Sequence, residues 1–190
     1  MLQQKASDYF QTLSQLLLNI EATGPQGVAM SLEEGTEQAV RMILDTKKAS
    51  KKVLLAGNGG SSAIVSHVQN DLCKTVGVRA MVFTEQPLLT ALANDEGYGS
   101  VFEWPIGLWA EPGDLFMTVS SSGQSENIVR GLAAAKNAGC NVITMSGFDP
   151  NNASRTMGDL NFYVGSSVYG FVETAHTALA HYLSNMAAAF

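Results

Sequence analysis

The feature that most constrains the fold is an alternation, from Lys52 onward, between short apolar runs and longer amphipathic segments. Apolar runs of this length are typical of strands buried on both faces of a parallel sheet. The intervening segments have the length and composition of helices, so repeated βα units are the simplest topology. The sequence therefore predicts an α/β fold, a three-layer sandwich with a central parallel sheet. Its strands are expected at 53–57, 79–84, 114–120, 141–146 and 161–165.

Two helices are predicted ahead of this alternating region. Apolar residues recur at helical spacing from Phe10 to Ile20 and again from Ala39 to Leu44, on either side of a loop at 22–27. The 190 residues are 46% hydrophobic, which suits one globular domain with its own core. We therefore expect a single domain over residues 1–190, with the N-terminal helices in 1–50 and the α/β core in 51–190.

The charge and the N-terminus narrow the possible partners and the compartment. The formal net charge is −6 and the sequence pI is about 4.9, so the basic surface that nucleic acid or an anionic membrane would need is not expected. The first twenty residues contain only a short apolar run, Leu16 to Leu18, unlike a signal peptide or a membrane span. Cys73 and Cys140 lack the spacing of a metal or redox motif, and we expect free thiols in a cytoplasmic protein.

Two loops that follow predicted strands carry residues suited to a phosphate. Glycines let a backbone approach an anion, and a helix that starts in the loop offers free N–H groups and the positive end of its dipole. Hydroxyl groups add further donors. For either loop alone, ordinary turn and capping chemistry is an equally good explanation. The first loop supplies Asn58, Gly59, Gly60 and Ser61, and the second supplies Ser120, Ser121, Ser122 and Ser125.

The two loops together indicate a small phosphorylated ligand. Neither is the G-x-G-x-x-G loop of dinucleotide-binding folds, and neither has the lysine of a P-loop. In an open α/β sheet, ligands bind at the carboxyl ends of the strands, where both loops are expected.

Titratable side chains recur at helical spacing in two predicted helices. His67 and Asp71 are four residues apart, and Glu173 and His181 are eight apart, so each pair should share a helix face. If both faces point to one cleft, the four side chains could transfer protons or hold a divalent metal such as zinc. For His176 we expect a packed or exposed side chain without a role in the site.

Several of these segments together resemble the phosphoheptose isomerases of the sugar isomerase (SIS) family. The likeness includes the loop after Gly57, the segment 92–98, the stretch 113–125, the segment 134–139 and the C-terminal helix with its histidines. It implies a flavodoxin-like SIS fold. It also implies an isomerase that interconverts sedoheptulose 7-phosphate and D-glycero-D-manno-heptose 7-phosphate, for bacterial heptose biosynthesis. Family members are similar homotetramers with active sites between subunits, and the likeness implies one zinc ion per subunit.

The resemblance also implies roles for individual residues. The serines of the second loop would bind phosphate, Asn58 and Ser61 would contact the sugar or its phosphate, and Asp95, with its neighbour Asn94, would lie close to the sugar. Asp71 occupies the position of the family's glutamate base, His181 that of its histidine acid, and His67 that of a metal-binding histidine. The chain departs from the family at Asp71, at Glu173, where the family has glutamine, and at Gly170 and Phe171, which replace Asp and Arg.

Two alternative functions remain open at this point, together with an alternative structure for the segment at 94–98. A tetrameric SIS protein that binds the replication initiator needs no chemistry, although paired titratable groups argue against it. The same scaffold could also serve another phosphosugar, as an isomerase or as a regulatory domain. Asn94, Asp95 and Tyr98 could instead form a turn before the helix that buries Val101 and Ile106.

Overall fold

A seven-stranded sheet forms the middle layer of the computed structural model, which describes residues 5–190. The strand order is β2-β1-β7-β6-β5-β3-β4, and the last five strands in this order are parallel. The strands are β1 (Glu21–Thr23), β2 (Ala29–Met30), β3 (Lys52–Gly57), β4 (Arg79–Val82), β5 (Leu115–Ser120), β6 (Asn141–Gly147) and β7 (Leu160–Val164). All five strands predicted from the apolar runs are therefore confirmed.

Helices cover both faces of the sheet, as the sandwich prediction requires. They are α1 (Ala6–Leu18), α2 (Leu32–Lys48), α3 (Gly60–Asp71), α4 (Gln86–Asp95), α5 (Ser100–Trp109), α6 (Glu126–Asn137), α7 (Ala153–Met157) and α8 (Tyr169–Ala188). A short π-helix, Leu72–Val76, extends α3. Alternate residues of the strands point to opposite faces. Leu55 and Met117 accordingly pack in the core under α2, α3 and α8, whereas Leu54 and Phe116 pack under α5 and α6.

The prediction of a loop at 22–27 is partly wrong. The segment belongs to a small hairpin of β1 and β2, and this hairpin extends the sheet because β1 pairs antiparallel with β7. Two strands of three and two residues are too short to show a periodic pattern. Arg155 secures the hairpin, since its guanidinium bonds Glu21 at 2.5 Å and lies 4.4 Å from the centre of the Tyr163 ring. Residues 1–4 of the predicted N-terminal segment lie outside the described residues.

The amino edge of the sheet is fixed by a buried carboxylate. Asp114 is fully buried, accepts hydrogen bonds from the backbone N–H groups of Lys52 and Glu111, and lies 2.7 Å from the Lys52 ammonium nitrogen. These contacts hold the starts of β3 and β5 side by side. The two strands therefore end level with each other at the opposite, carboxyl edge.

The cysteines are both free within the part of the chain that the structure describes, as predicted. Cys73 is exposed, whereas Cys140 is buried, and burial raises the pKa of its thiol to about 11. Between residues 5 and 190, no helix is both long enough and apolar enough to span a bilayer.

Candidate active site

The two predicted loops meet at the carboxyl edge of the sheet. Strands β3 and β5 are neighbours, and Gly57 is paired with Val119 at their last rungs. The loops and the start of α8 enclose a cleft of about 270 Å³, which we call the serine cleft. Its lining residues are Asn58, Gly59, Gly60, Ser61, Ser120, Ser121, Ser122, Ser125, Tyr169 and Glu173.

The serines of the second loop point donors into the serine cleft. The Ser120 hydroxyl oxygen accepts from the Gly123 N–H at 3.2 Å, and the Ser122 hydroxyl oxygen accepts from the Gln124 N–H at 3.3 Å. Because each oxygen already accepts, its own hydrogen is free to donate to a ligand. Ser121 Oγ is buried and has no hydrogen-bond partner within residues 5–190. Buried hydroxyls are normally bonded, so this one is a candidate partner for a ligand atom or a water molecule in the cleft.

Two helices begin at the serine cleft with uncapped N-termini. Ser125 precedes α6 and Gly59 precedes α3, and neither helix has a side-chain hydrogen bond at this position. The first N–H groups of a helix carry the positive end of its dipole, so both ends favour an anion. With the serine hydroxyls they form a suitable site for a phosphate group.

An amide pair that the sequence reasoning missed holds Asn58 in place. Asn58 and Asn127 exchange two side-chain hydrogen bonds of 2.9 Å, and the Tyr98 hydroxyl donates to Asn58 Oδ1 at 3.2 Å. Asn127 is 69 residues away in the chain, so no local pattern could have indicated the contact. The pairing fixes the amide at the mouth of the first loop.

The wall formed by α8 contributes an aromatic ring and a carboxylate. Tyr169, which the sequence analysis did not select, packs edge-on against Phe148 with 4.8 Å between ring centres. Glu173 follows one turn later, and its carboxylate lies against Gly60, so that a Cβ at Gly60 would come within 2.5 Å of an oxygen. A Cβ at residue 60 would displace this carboxylate. The Glu173 carboxylate therefore lies at the positive end of α3.

A second group of predicted site residues lies farther along the same two helices. His67 Nε2 is 3.5 Å from Asp71 Oδ2, and His181 Nδ1 is 3.4 Å from the same oxygen. The two imidazole rings are 4.8 Å apart between centres. We call these three residues the His–Asp–His group. The predicted helical spacing thus brings three of the four side chains together, while Glu173 lines the serine cleft and does not join them.

The donor atoms of the His–Asp–His group suit a zinc ion. Imidazole nitrogen and carboxylate oxygen are common zinc ligands, at 2.0–2.2 Å. Two ligands of a tetrahedral ion at such distances lie about 3.3–3.6 Å apart, a range that includes the two separations measured from Asp71 Oδ2. The chemistry of the three residues and the two separations from Asp71 Oδ2 therefore fit a bound metal.

Two predicted site residues lie elsewhere in this chain. Asn94 and Asp95 form the last turn of α4, where the Asn94 amide donates to Asp95 at 2.7 Å, and both are exposed. They do not line the serine cleft of their own chain. The alternative of a turn before the next helix holds for Tyr98, which lies between α4 and α5, but not for Asn94 and Asp95, which α4 contains.

His176 is a core residue. Of the two placements expected from the sequence, packed or exposed, the structure shows the packed one. His176 is fully buried, and its Nε2 atom lies 3.1 Å from the Ser146 carbonyl oxygen. Burial lowers the pKa of this imidazole to about 4, so it is neutral at pH 7.

Comparison with known proteins agrees with this architecture. The family model described as the SIS domain matches residues 8–147. The phosphoheptose isomerase of Campylobacter concisus is 34% identical over 151 residues, which covers 76% of this chain and 79% of that protein. The phosphoheptose isomerase of Aliarcobacter butzleri is 32% identical over 160 residues, covering 81% and 84%.

Solved structures show the same fold over nearly the whole chain. The phosphoheptose isomerase of Neisseria gonorrhoeae superposes with a TM-score of 0.84 at 25% identity, and the match covers 98% of this chain and 99% of that one. The enzyme from Francisella tularensis gives a TM-score of 0.82 at 22% identity, a likeness of fold. The chain therefore belongs to the SIS domain family and, within it, to the phosphoheptose isomerases.

Proposed function

We propose that this chain interconverts sedoheptulose 7-phosphate and D-glycero-D-manno-heptose 7-phosphate, an aldose–ketose isomerisation that leads toward bacterial heptose. The names of its relatives support the reaction. The arrangement of the serine cleft and the His–Asp–His group supports the proposed identity of the substrate.

The observation that carries the proposal is the spacing of the two groups along α3 and α8. Gly60 and His67 are seven residues apart on α3, and Glu173 and His181 are eight apart on α8, which at the helical rise correspond to about 10 and about 12 Å. An extended chain advances about 1.2 Å per bond, so eight bonds from phosphorus to C1 of a seven-carbon 7-phosphate span about 10 Å. A phosphate in the serine cleft would thus place the reacting carbons at the His–Asp–His group.

The binding roles follow from the donors in the serine cleft. Ser120, Ser121, Ser122 and Ser125 would bind the phosphate together with the N-termini of α3 and α6. Asn58, held by Asn127, and Ser61 would contact the sugar or its phosphate. Glu173 can accept hydrogen bonds from sugar hydroxyls next to the phosphate.

Proton transfer would belong to Asp71 and His181. Isomerisation through an enediol requires removal of the proton from C1 of the ketose and return of a proton to C2. Asp71 is the proposed base for the carbon-bound proton, and His181, 3.4 Å from it, is the acid that protonates the carbonyl oxygen. The Asp71 carboxyl then returns its proton to C2 while the imidazole takes up the proton of the C1 hydroxyl, which completes the aldose and regenerates both groups.

A zinc ion, one per subunit, would be held by His67, Asp71 and His181. When bound, it would stabilise the negative charge that develops on the carbonyl oxygen. The earlier prediction of Glu173 as a fourth ligand would require its carboxylate to leave Gly60. We therefore assign Glu173 to substrate binding and the metal to the His–Asp–His group.

We further propose a cytoplasmic homotetramer with active sites between subunits. Large apolar side chains are exposed on α8 and just after it, including Tyr182, Met186 and Phe190. Exposed apolar groups of this kind are typical of subunit interfaces. Assembly would also allow Asn94 and Asp95, which are remote from the cleft of their own chain, to reach a substrate.

The test is turnover of sedoheptulose 7-phosphate together with the metal content of the purified protein. His181→Ala should abolish turnover, whereas Asn185→Ala, an exposed change one turn farther along α8, should leave it unchanged. A hexose 6-phosphate is about 1.2 Å shorter and should react about a hundredfold more slowly, because a misplacement of this size is costly. Metal without turnover of the seven-carbon substrate would indicate another phosphosugar. A folded protein that holds no metal and does not turn over sedoheptulose 7-phosphate would refute the catalytic proposal.

A further inference from the structure

The loop between β5 and α6 is held from behind by a buried residue that does not touch the serine cleft. Ser154, at the second position of α7, is fully buried. Its backbone N–H and its hydroxyl both donate to the Gly123 carbonyl oxygen, each at 2.9 Å. The contact joins segments 31 residues apart, and the carbonyl that receives it lies between the phosphate-site serines Ser122 and Ser125.

This double hydrogen bond determines which way one peptide group faces. The described peptide bonds are trans, so the Gly123 carbonyl and the Gln124 N–H point in opposite directions within one plane. The carbonyl is turned toward α7, and the N–H donates to the Ser122 hydroxyl oxygen at 3.3 Å. If the peptide rotated, the Ser122 hydroxyl would lose this N–H donor, and a carbonyl oxygen with a partial negative charge would lie beside a serine of the cleft.

Asn152 closes the space through which the loop would have to move. A Cβ added to Gly123 would lie 2.0 Å from the Asn152 side-chain oxygen, so the glycine packs directly against this amide. The amide nitrogen donates to the Asp149 carbonyl at 2.8 Å, and the amide oxygen accepts from the Arg155 N–H at 3.1 Å. The support beneath the loop is therefore itself fixed.

We propose that Ser154 is a positioning residue for phosphate binding, which holds the Gly123–Gln124 peptide so that the loop presents donors to the ligand. This inference rests on the proposed function, because it takes the serine cleft as the phosphate site. Ser154 touches no substrate and acts through Gly123 alone.

The experiment measures binding of inorganic phosphate by calorimetry and steady-state kinetics with sedoheptulose 7-phosphate. Ser154→Ala removes one of the two hydrogen bonds, and a buried hydrogen bond is worth about a five- to tenfold change in an equilibrium constant. We expect the Kd for phosphate and the KM to rise by that factor, with kcat within about twofold of the parent. Ser154→Thr, which keeps the hydroxyl, should restore phosphate binding.

Two controls separate positioning from a general loss of structure. Thr156→Ala removes an exposed hydroxyl from the same helix and should leave phosphate binding unchanged. Among residues 5–190, this hydroxyl bonds only the Ala153 carbonyl. Ser154→Cys has nearly the same shape with a weaker donor, so it should fold and still weaken phosphate binding if Ser154→Ala does not fold.

The outcomes distinguish this inference from the proposed function. If the parent protein binds phosphate and the folded Ser154→Ala and Ser154→Cys variants bind it equally well, the positioning role is wrong and the proposed function stands. A loss confined to kcat would also overturn the positioning role. A parent protein that binds no phosphate would overturn both.

Discussion

Acid conditions should destabilise the fold through His176. Burial lowers the pKa of this imidazole to about 4, against 6.5 for a free side chain. Between these values the unfolded chain binds the proton and the folded one does not, so the free energy of unfolding falls as the pH decreases. The full effect of the shift is about 3 kcal/mol, of which about 2 kcal/mol is lost between about pH 7.5 and about pH 5.

The assay is urea unfolding followed by circular dichroism at a fixed protein concentration, across that pH range. His176→Gln keeps a side-chain donor for the Ser146 carbonyl and cannot titrate, so its pH dependence should be shallower by about 2 kcal/mol. Val172→Ala is the matched control, since it opens a cavity one turn away on α8 and should keep the slope of the parent. Equal slopes for the parent and His176→Gln would refute the argument.

Two further predictions concern the sheet and the thiols. Asp114→Asn should lower the free energy of unfolding by about 3 kcal/mol, because it leaves the Lys52 ammonium without its buried partner. Glu111→Gln, at an exposed carboxylate, should cost much less in the same denaturation assay, and equal effects would contradict the assignment. A thiol reagent at about pH 8 should modify Cys73 and spare Cys140 in the folded protein. Rapid reaction at both would show that Cys140 is accessible.

The parts of the fold that repeat locally could be predicted from the sequence. Long apolar runs such as 114–120 predict buried strands, and the four-residue spacing of His67 and Asp71 predicts a shared helix face. Both signals arise from neighbours in the chain. The loops after Gly57 and Val119 could be placed together because parallel strands end at one edge of a sheet.

The remaining parts depend on contacts between distant residues. Asn127 supports Asn58, and Ser154 supports Gly123, across 69 and 31 residues. Neither belongs to a motif, so no local pattern indicates it. Glu173 shows a further limit of reasoning from the sequence. Helical spacing relates Glu173 to His181, but it does not tell whether the Glu173 side chain joins the serine cleft or the His–Asp–His group.

The common path of α3 and α8 has a consequence for how substrate preference can change. Each helix contributes residues to both the serine cleft and the His–Asp–His group. The cleft and the group are therefore connected by two packed helices. Loop movement adapts many enzymes to ligands of different size, but a regular helix keeps its rise per residue. A substrate of another length would therefore require new side chains at intermediate turns of the helices. On the proposed function, the backbone geometry of these two helices would specify the length of the sugar.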